Sequence, residues 1–151
     1  MVSVELLVIV LFRLVMGLAL TSALGFLGWI MLRVVFPVAN YNSLVFSSVA
    51  ALLVGGSGSL GAIFAWWSTG ISEPARPLCT VLTIALAALG SWIGLRLVRG
   101  NIHFEWISGV GTVPVIYQGD VFSAMVIATV IGANAVAGGF YFYRLLSRKE
   151  L

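Results

Sequence analysis

The chain has 151 residues, of which 61% are hydrophobic and only 9% charged, against about 45–50% and about 25% in soluble domains. With a mean hydropathy of +1.13, this composition excludes an ordinary soluble domain, and four long apolar runs leave no room among these residues for a nucleotide-hydrolysing or sensory module. The formal net charge of +3 is not a nucleic-acid signature, because the bases stand at the ends of the apolar runs, where membrane proteins keep them. No nucleic-acid partner is expected.

The runs are Leu14–Leu32, Leu44–Trp67, Leu78–Leu95 and Val121–Tyr143, each 18 to 24 residues long. At 1.5 Å per helical residue they reach roughly 27–36 Å, the thickness of a hydrocarbon core of about 30 Å. The expectation is an all-α integral membrane protein, one domain over residues 1–151 with four transmembrane helices in an up-down bundle. The N-terminal stretch has no basic leader and Arg13 interrupts it, so it reads as a first transmembrane helix rather than a cleaved signal peptide. Four crossings put both termini on the side of the Ser68–Pro77 link. That side carries Arg13, Arg76, Arg144, Arg148 and Lys149, against Arg33, Arg96 and Arg99 on the other. The excess predicts cytoplasmic termini in a bacterial plasma (inner) membrane.

Between Val2 and Phe36 there is no proline or turn signal, so the first helix should outrun the bilayer. Arg13 and Arg33 are 20 residues apart, about 30 Å along a helix, and both can snorkel to opposite interfaces as anchors. A sharper reading slides the span to residues 6–28 and buries Arg13 as a functional charge. Pro37, Asn40 and Asn42 supply the first turn. The second span closes on Trp66 and Trp67 at the level of the aromatic belt. Ser68–Pro77 reads as a tight hairpin in which Gly70, Glu73 and Pro74 break helix and Pro77 opens the third span. The lone Cys79 is a small apolar helix residue with no intrachain disulfide partner, and Arg96 and Arg144 anchor the ends of the third and fourth spans.

The link Arg99–Asp120 has a different texture. Ile102, Phe104 and Trp106 alternate with His103 and Glu105, and after Ser108, Gly109, Val110 and Gly111 comes a β-branched stretch to Gln118. This strand–turn–strand pattern predicts a short β-hairpin or an extended flap over residues 99–120, with Pro114 confining its second strand to an edge. An isolated hairpin is marginal in water, so the membrane surface or a partner should lie against it.

Gly56, Ser57, Gly58, Ser59, Leu60 and Gly61 match the G-x-G-x-x-G pattern of dinucleotide sites, and Glu73 follows Gly56 by 17 residues. That chemistry needs a strand before the glycines and a helix starting at the phosphates, whereas here the motif sits inside an uncharged apolar run. Small residues four apart, Gly55 with Ser59 and Ser57 with Gly61, instead let two helix backbones approach. A second reading is a helix loosened at mid-membrane, exposing backbone groups to a solute. Comparable small-residue stripes are Gly17, Thr21, Gly25 and Gly28 on the first span, Gly90 and Gly94 on the third, and Ala124, Ala128, Gly132, Ala135 and Gly139 on the fourth.

Asn134 is the one strongly polar side chain deep in a span and is expected to hydrogen-bond across the bundle. His103 is the sole histidine, which excludes bis-histidine haem ligation within the chain and leaves it only a weak candidate as a single axial ligand to a pigment or haem. A zinc site would need more ligands than His103 and Glu105, and no G-x-S-x-G occurs, so neither a metal site nor a catalytic residue is assigned. The leading expectation is a non-catalytic subunit or assembly factor of a larger membrane complex, in contact with lipid and with other membrane-protein subunits through helix packing. The alternative is a small transporter or channel, active as a homo-oligomer, with a path near the glycine-rich centre of the second helix. A third reading is a membrane-embedded enzyme or cofactor protein using His103, Glu105 and Arg99.

Overall fold

The computed structural model describes residues 4–66, 76–100 and 102–147. In chain order it contains α1 (Val4–Val35), α2 (Leu44–Trp66), α3 (Arg76–Arg99), β1 (His103–Ile107), β2 (Gly111–Val115) and α4 (Gln118–Ser147). All four helices are long and apolar enough to cross a membrane. At 32 residues, α1 reaches about 48 Å and overruns its apolar core at both ends, as the lack of a breaker before Pro37 requires. α3 and α4 also extend past their apolar runs. Pro77 sits in the first turn of α3, where its missing N–H leaves no bond unmade. Arg96 and Arg99 occupy the last turn, next to the negative end of the helix dipole. The Phe46 amide donates to Ser43 Oγ at 3.3 Å, which caps the start of α2.

The glycine-rich segment of α2 is unbroken helix. α2 packs against the other three helices and touches α4 across the bundle, while among the described residues α1 and α3 do not meet. Gly28 lies against Leu53, and Gly61 against Leu20 and Thr21, so α1 and α2 run in opposite directions. Gly94 meets Ala124, Gly90 meets Ala128 and Gly132 meets Leu86, so α3 and α4 do the same. The approach is close. A Cβ built on Gly55 would stand 2.5 Å from Ala88 Cα, and one on Gly94 2.5 Å from the Ala124 carbonyl oxygen.

Not every small residue is used this way. Gly56 and Gly139 have nothing within 4 Å of where a Cβ would be. The stripe along α4 divides. Ala124, Ala128 and Gly132 face α3, but the contact then passes to Ala133 and Ala137, which are buried, and Ala135 and Gly139 face outward. Beyond Gly132 an open groove separates the two helices, lined by Leu82 and Leu86 of α3 and by Ala135 and Gly139 of α4.

The core has two parts. At one end large side chains pack together, among them Trp29, Leu32, Phe46, Leu95 and Met125. At the other, Ala62, Ala65, Ala87, Ala133 and Ala137 surround Trp66, and small residues there bring the helices close enough for polar groups to meet.

Candidate functional site

The first polar assembly forms where α2 ends. Asn134 Oδ1 accepts a hydrogen bond from Trp66 Nε1 at 2.9 Å. Asn134 Nδ2 donates to Thr21 Oγ1 at 3.3 Å and to the Val130 carbonyl at 2.9 Å. Gly17 forms the floor, since a Cβ there would collide with Asn134 Oδ1. One buried amide thus joins α1, α2 and α4 with its oxygen and both its N–H groups employed, the arrangement of a structural tie. Ser57 Oγ also reaches α1, with its one proton placed between the Leu24 carbonyl at 2.8 Å and the Leu53 carbonyl of its own helix at 2.5 Å.

Arg13 stands beside this cluster. Its Nη1 donates to the carbonyl oxygens of Ala65 and Trp66 at 3.1 and 3.0 Å, groups that a helix C-terminus leaves without partners. The guanidinium carbon lies 4.8 Å from the centre of the Tyr141 ring, a cation–π contact. Arg13 is half-buried, with one nitrogen tied to the end of α2. That position is intermediate between free snorkelling and burial in the centre of the bundle.

At the other end, Arg33 Nη2 donates to the Pro37 carbonyl at 2.9 Å and Arg96 stacks on Trp92 at 4.9 Å. Tyr41 packs edge-on against Phe46 at 5.5 Å. Burial pushes the Tyr41 hydroxyl above its ordinary range, with Arg33 pulling the other way. Arg144 lies in the last turn of α4. Trp67, Glu73, Arg148, Lys149 and nearly all of the Ser68–Pro77 link lie outside the described residues.

The β-hairpin expected between the third and fourth helices is present as a two-stranded antiparallel sheet, with Phe104 opposite Pro114 and Trp106 opposite Thr112. Gly109 and Gly111 have φ of 85° and 93°, which side-chain-bearing residues rarely adopt. Phe104, Trp106, Thr112 and Pro114 form an exposed face, while His103, Glu105, Val113 and Val115 are half-buried on the other. The His103 ring lies tilted by 47° against Tyr117 with centroids 4.8 Å apart, and its Nε2 is 3.3 Å from Asp120 Oδ2. The side chain weakly nominated as a haem or pigment ligand thus has its outer nitrogen turned to a carboxylate. Among the described residues no group of three His, Cys, Asp or Glu side chains could hold a metal.

The Tyr117 hydroxyl donates to Glu105 Oε1. That bond raises the phenol above its ordinary range, aided by desolvation and by the charges of Glu105 and Asp120. The folded hairpin therefore holds the phenolic proton more tightly than the unfolded chain does. The stabilisation is complete below the unfolded phenol value near 10 and fades as pH climbs through the raised one. In Glu105→Gln the Tyr117 midpoint should fall toward the ordinary value, read from the Cζ carbon by NMR; an unmoved midpoint would remove Glu105 as the cause.

The Trp66–Asn134–Thr21 tie joins residues 113 positions apart at its extremes. Asn134 signalled that donors and acceptors had to be near it, but nothing in the sequence singled out Trp66, which as a span-end tryptophan reads as a belt residue. No family model, curated protein or solved structure matches this chain.

Proposed function

We propose that this chain is an integral membrane protein whose helices cross the bilayer as an up-down bundle, and that it is a non-catalytic subunit or assembly factor of a larger membrane-protein complex. The distribution of bases supports cytoplasmic termini in a bacterial plasma membrane.

The observation that carries the subunit reading is the bare aromatic face of the hairpin. Phe104, Trp106 and Val110 are 71%, 73% and 72% exposed on a sheet of two five-residue strands, too small to be stable alone. Burying side chains of this kind is worth about 1.5–3 kcal/mol each, and Trp and Phe are enriched where proteins meet. At the opposite end the first turns of α1 extend past Arg13 with Val4, Leu7, Leu11 and Phe12 exposed. Gly55, Gly58 and Gly61 at the centre of α2 are taken up in helix contacts, and Ser59, Thr83 and Thr129 turn their hydroxyls to carbonyls of their own helices. These features favour a scaffold over a conduit.

The test is a Phe104→Ser/Trp106→Ser double variant of the tagged chain, purified in mild detergent from its native membrane. Loss of a stoichiometric membrane-protein partner with unchanged helix content is expected. A partner retained at full stoichiometry would show that this face does not hold the complex.

A further inference from the structure

The cleft between α1 and α2 beside Arg13 has a volume of about 390 Å³ and is walled by Ile9, Phe12, Met16, Leu20 and Phe64. Among the described residues Arg13 is its one charged lining residue. Both hydrogen bonds of that guanidinium leave from Nη1, so Nε and Nη2 have no hydrogen-bond partner among the described residues. No described carboxylate pairs with Arg13 either. The carbonyls at the end of α2 offset roughly half a charge and the Tyr141 ring a further part, so the half-buried guanidinium keeps a net positive charge and a free edge beside an apolar cleft.

We infer that this cleft binds an anionic phospholipid, with a headgroup phosphate on the free edge of the Arg13 guanidinium and an acyl chain along Met16, Leu20 and Phe64. This rests on the bilayer placement proposed above. Charge complementarity selects the occupant: a phosphate offers oxygens matched to the guanidinium fork, and the apolar walls take the chain attached to it. Depth agrees, because Arg13 lies level with Trp66 and Tyr141 at the end of α2, where headgroups would lie. Leu20, which Gly61 of α2 contacts, lies about two helical turns further in.

The experiment uses the full chain. Carbonate-resistant membrane association is measured first, and then lipid retention by native mass spectrometry from nanodiscs of phosphatidylglycerol mixed with phosphatidylcholine. The wild type should retain phosphatidylglycerol about five-fold over phosphatidylcholine, the factor one interfacial cation supplies. Arg13→Gln should lower that preference several-fold more than Arg33→Gln, whose guanidinium is tied to the Pro37 carbonyl at the other end of α1. Met16→Trp, which fills the cleft and leaves Arg13 in place, should lower retention of the anionic lipid several-fold, and it decides the matter alone should Arg13→Gln not fold. A preference unchanged in Arg13→Gln or Met16→Trp overturns the inference. So does displacement of the lipid by millimolar inorganic phosphate, which would mean a headgroup site without a chain, or an acidic side chain of a partner protein crosslinked at position 13. A chain absent from carbonate-washed membranes would remove the bilayer placement as well, whereas membrane association without a lipid preference would remove the cleft site alone.

Discussion

Gly55→Ala and Gly61→Ala should each destabilise the bundle by about 1–3 kcal/mol, the range for overpacking a tight core, while Gly56→Ala should be neutral or slightly stabilising. The three positions lie within two turns of one helix, and intrinsic propensity favours alanine at all of them by about 0.8–1.0 kcal/mol. What separates them is the neighbour. A methyl on Gly55 meets Ala88 Cα at 2.5 Å, and one on Gly61 meets the backbone of Leu20 and Thr21, whereas one on Gly56 meets nothing within 4 Å. Backbone cannot step aside as a flexible side chain does, so the helices must separate and lose contact along their length. Unfolding of the three variants in detergent, followed by circular dichroism, checks this. Equal stability of Gly55→Ala and Gly56→Ala would mean that the glycines are kept for something other than packing.

The second large effect is expected at Asn134. In Asn134→Leu the Trp66 Nε1–H loses the acceptor it holds at 2.9 Å and is left in a pocket of alanines. A buried donor without a partner costs about 1–3 kcal/mol, with hydrogen bonds between membrane helices nearer 0.6–1.7 kcal/mol. The bulkier side chain would also press on Gly17. Trp66→Phe should cost less, because Asn134 keeps Thr21 and the Val130 carbonyl and only the donor is lost. Since the pair acts as a unit, the Trp66→Phe/Asn134→Ala double variant should be less destabilised than the sum of its parts. Strict additivity in that cycle would show that the Trp66–Asn134 bond contributes nothing.

Four apolar helices and the hairpin were legible because their signals are local: runs without charges, and an alternation of period two from Ile102 to Trp106 followed by a glycine turn. Helix ends were less so, since hydropathy reports where a helix is apolar and not where its hydrogen bonds stop. α4 begins at Gln118, ahead of the apolar run, with Asp120 in its first turn at the positive end of the dipole. Spacing identified small residues that share a face but not the neighbour they would meet. Gly55 and Gly56 are therefore alike in sequence and opposite in contact, and Gly139 belongs to its row yet a Cβ there would meet nothing within 4 Å. Arg13 and Trp66 resisted for a related reason. A base or a tryptophan near the end of a span reads as an interfacial anchor, and only the helix opposite decides whether it also turns inward to a partner.

Membership of a larger membrane assembly would fix the native mass and protein content of the tagged chain after gentle extraction from its own membrane and two successive chromatographic steps. A subunit or assembly factor should emerge at a mass well above that of the chain, with one or more membrane proteins in fixed stoichiometry through both steps. A stable, monodisperse monomer or homo-oligomer with no other protein would contradict it.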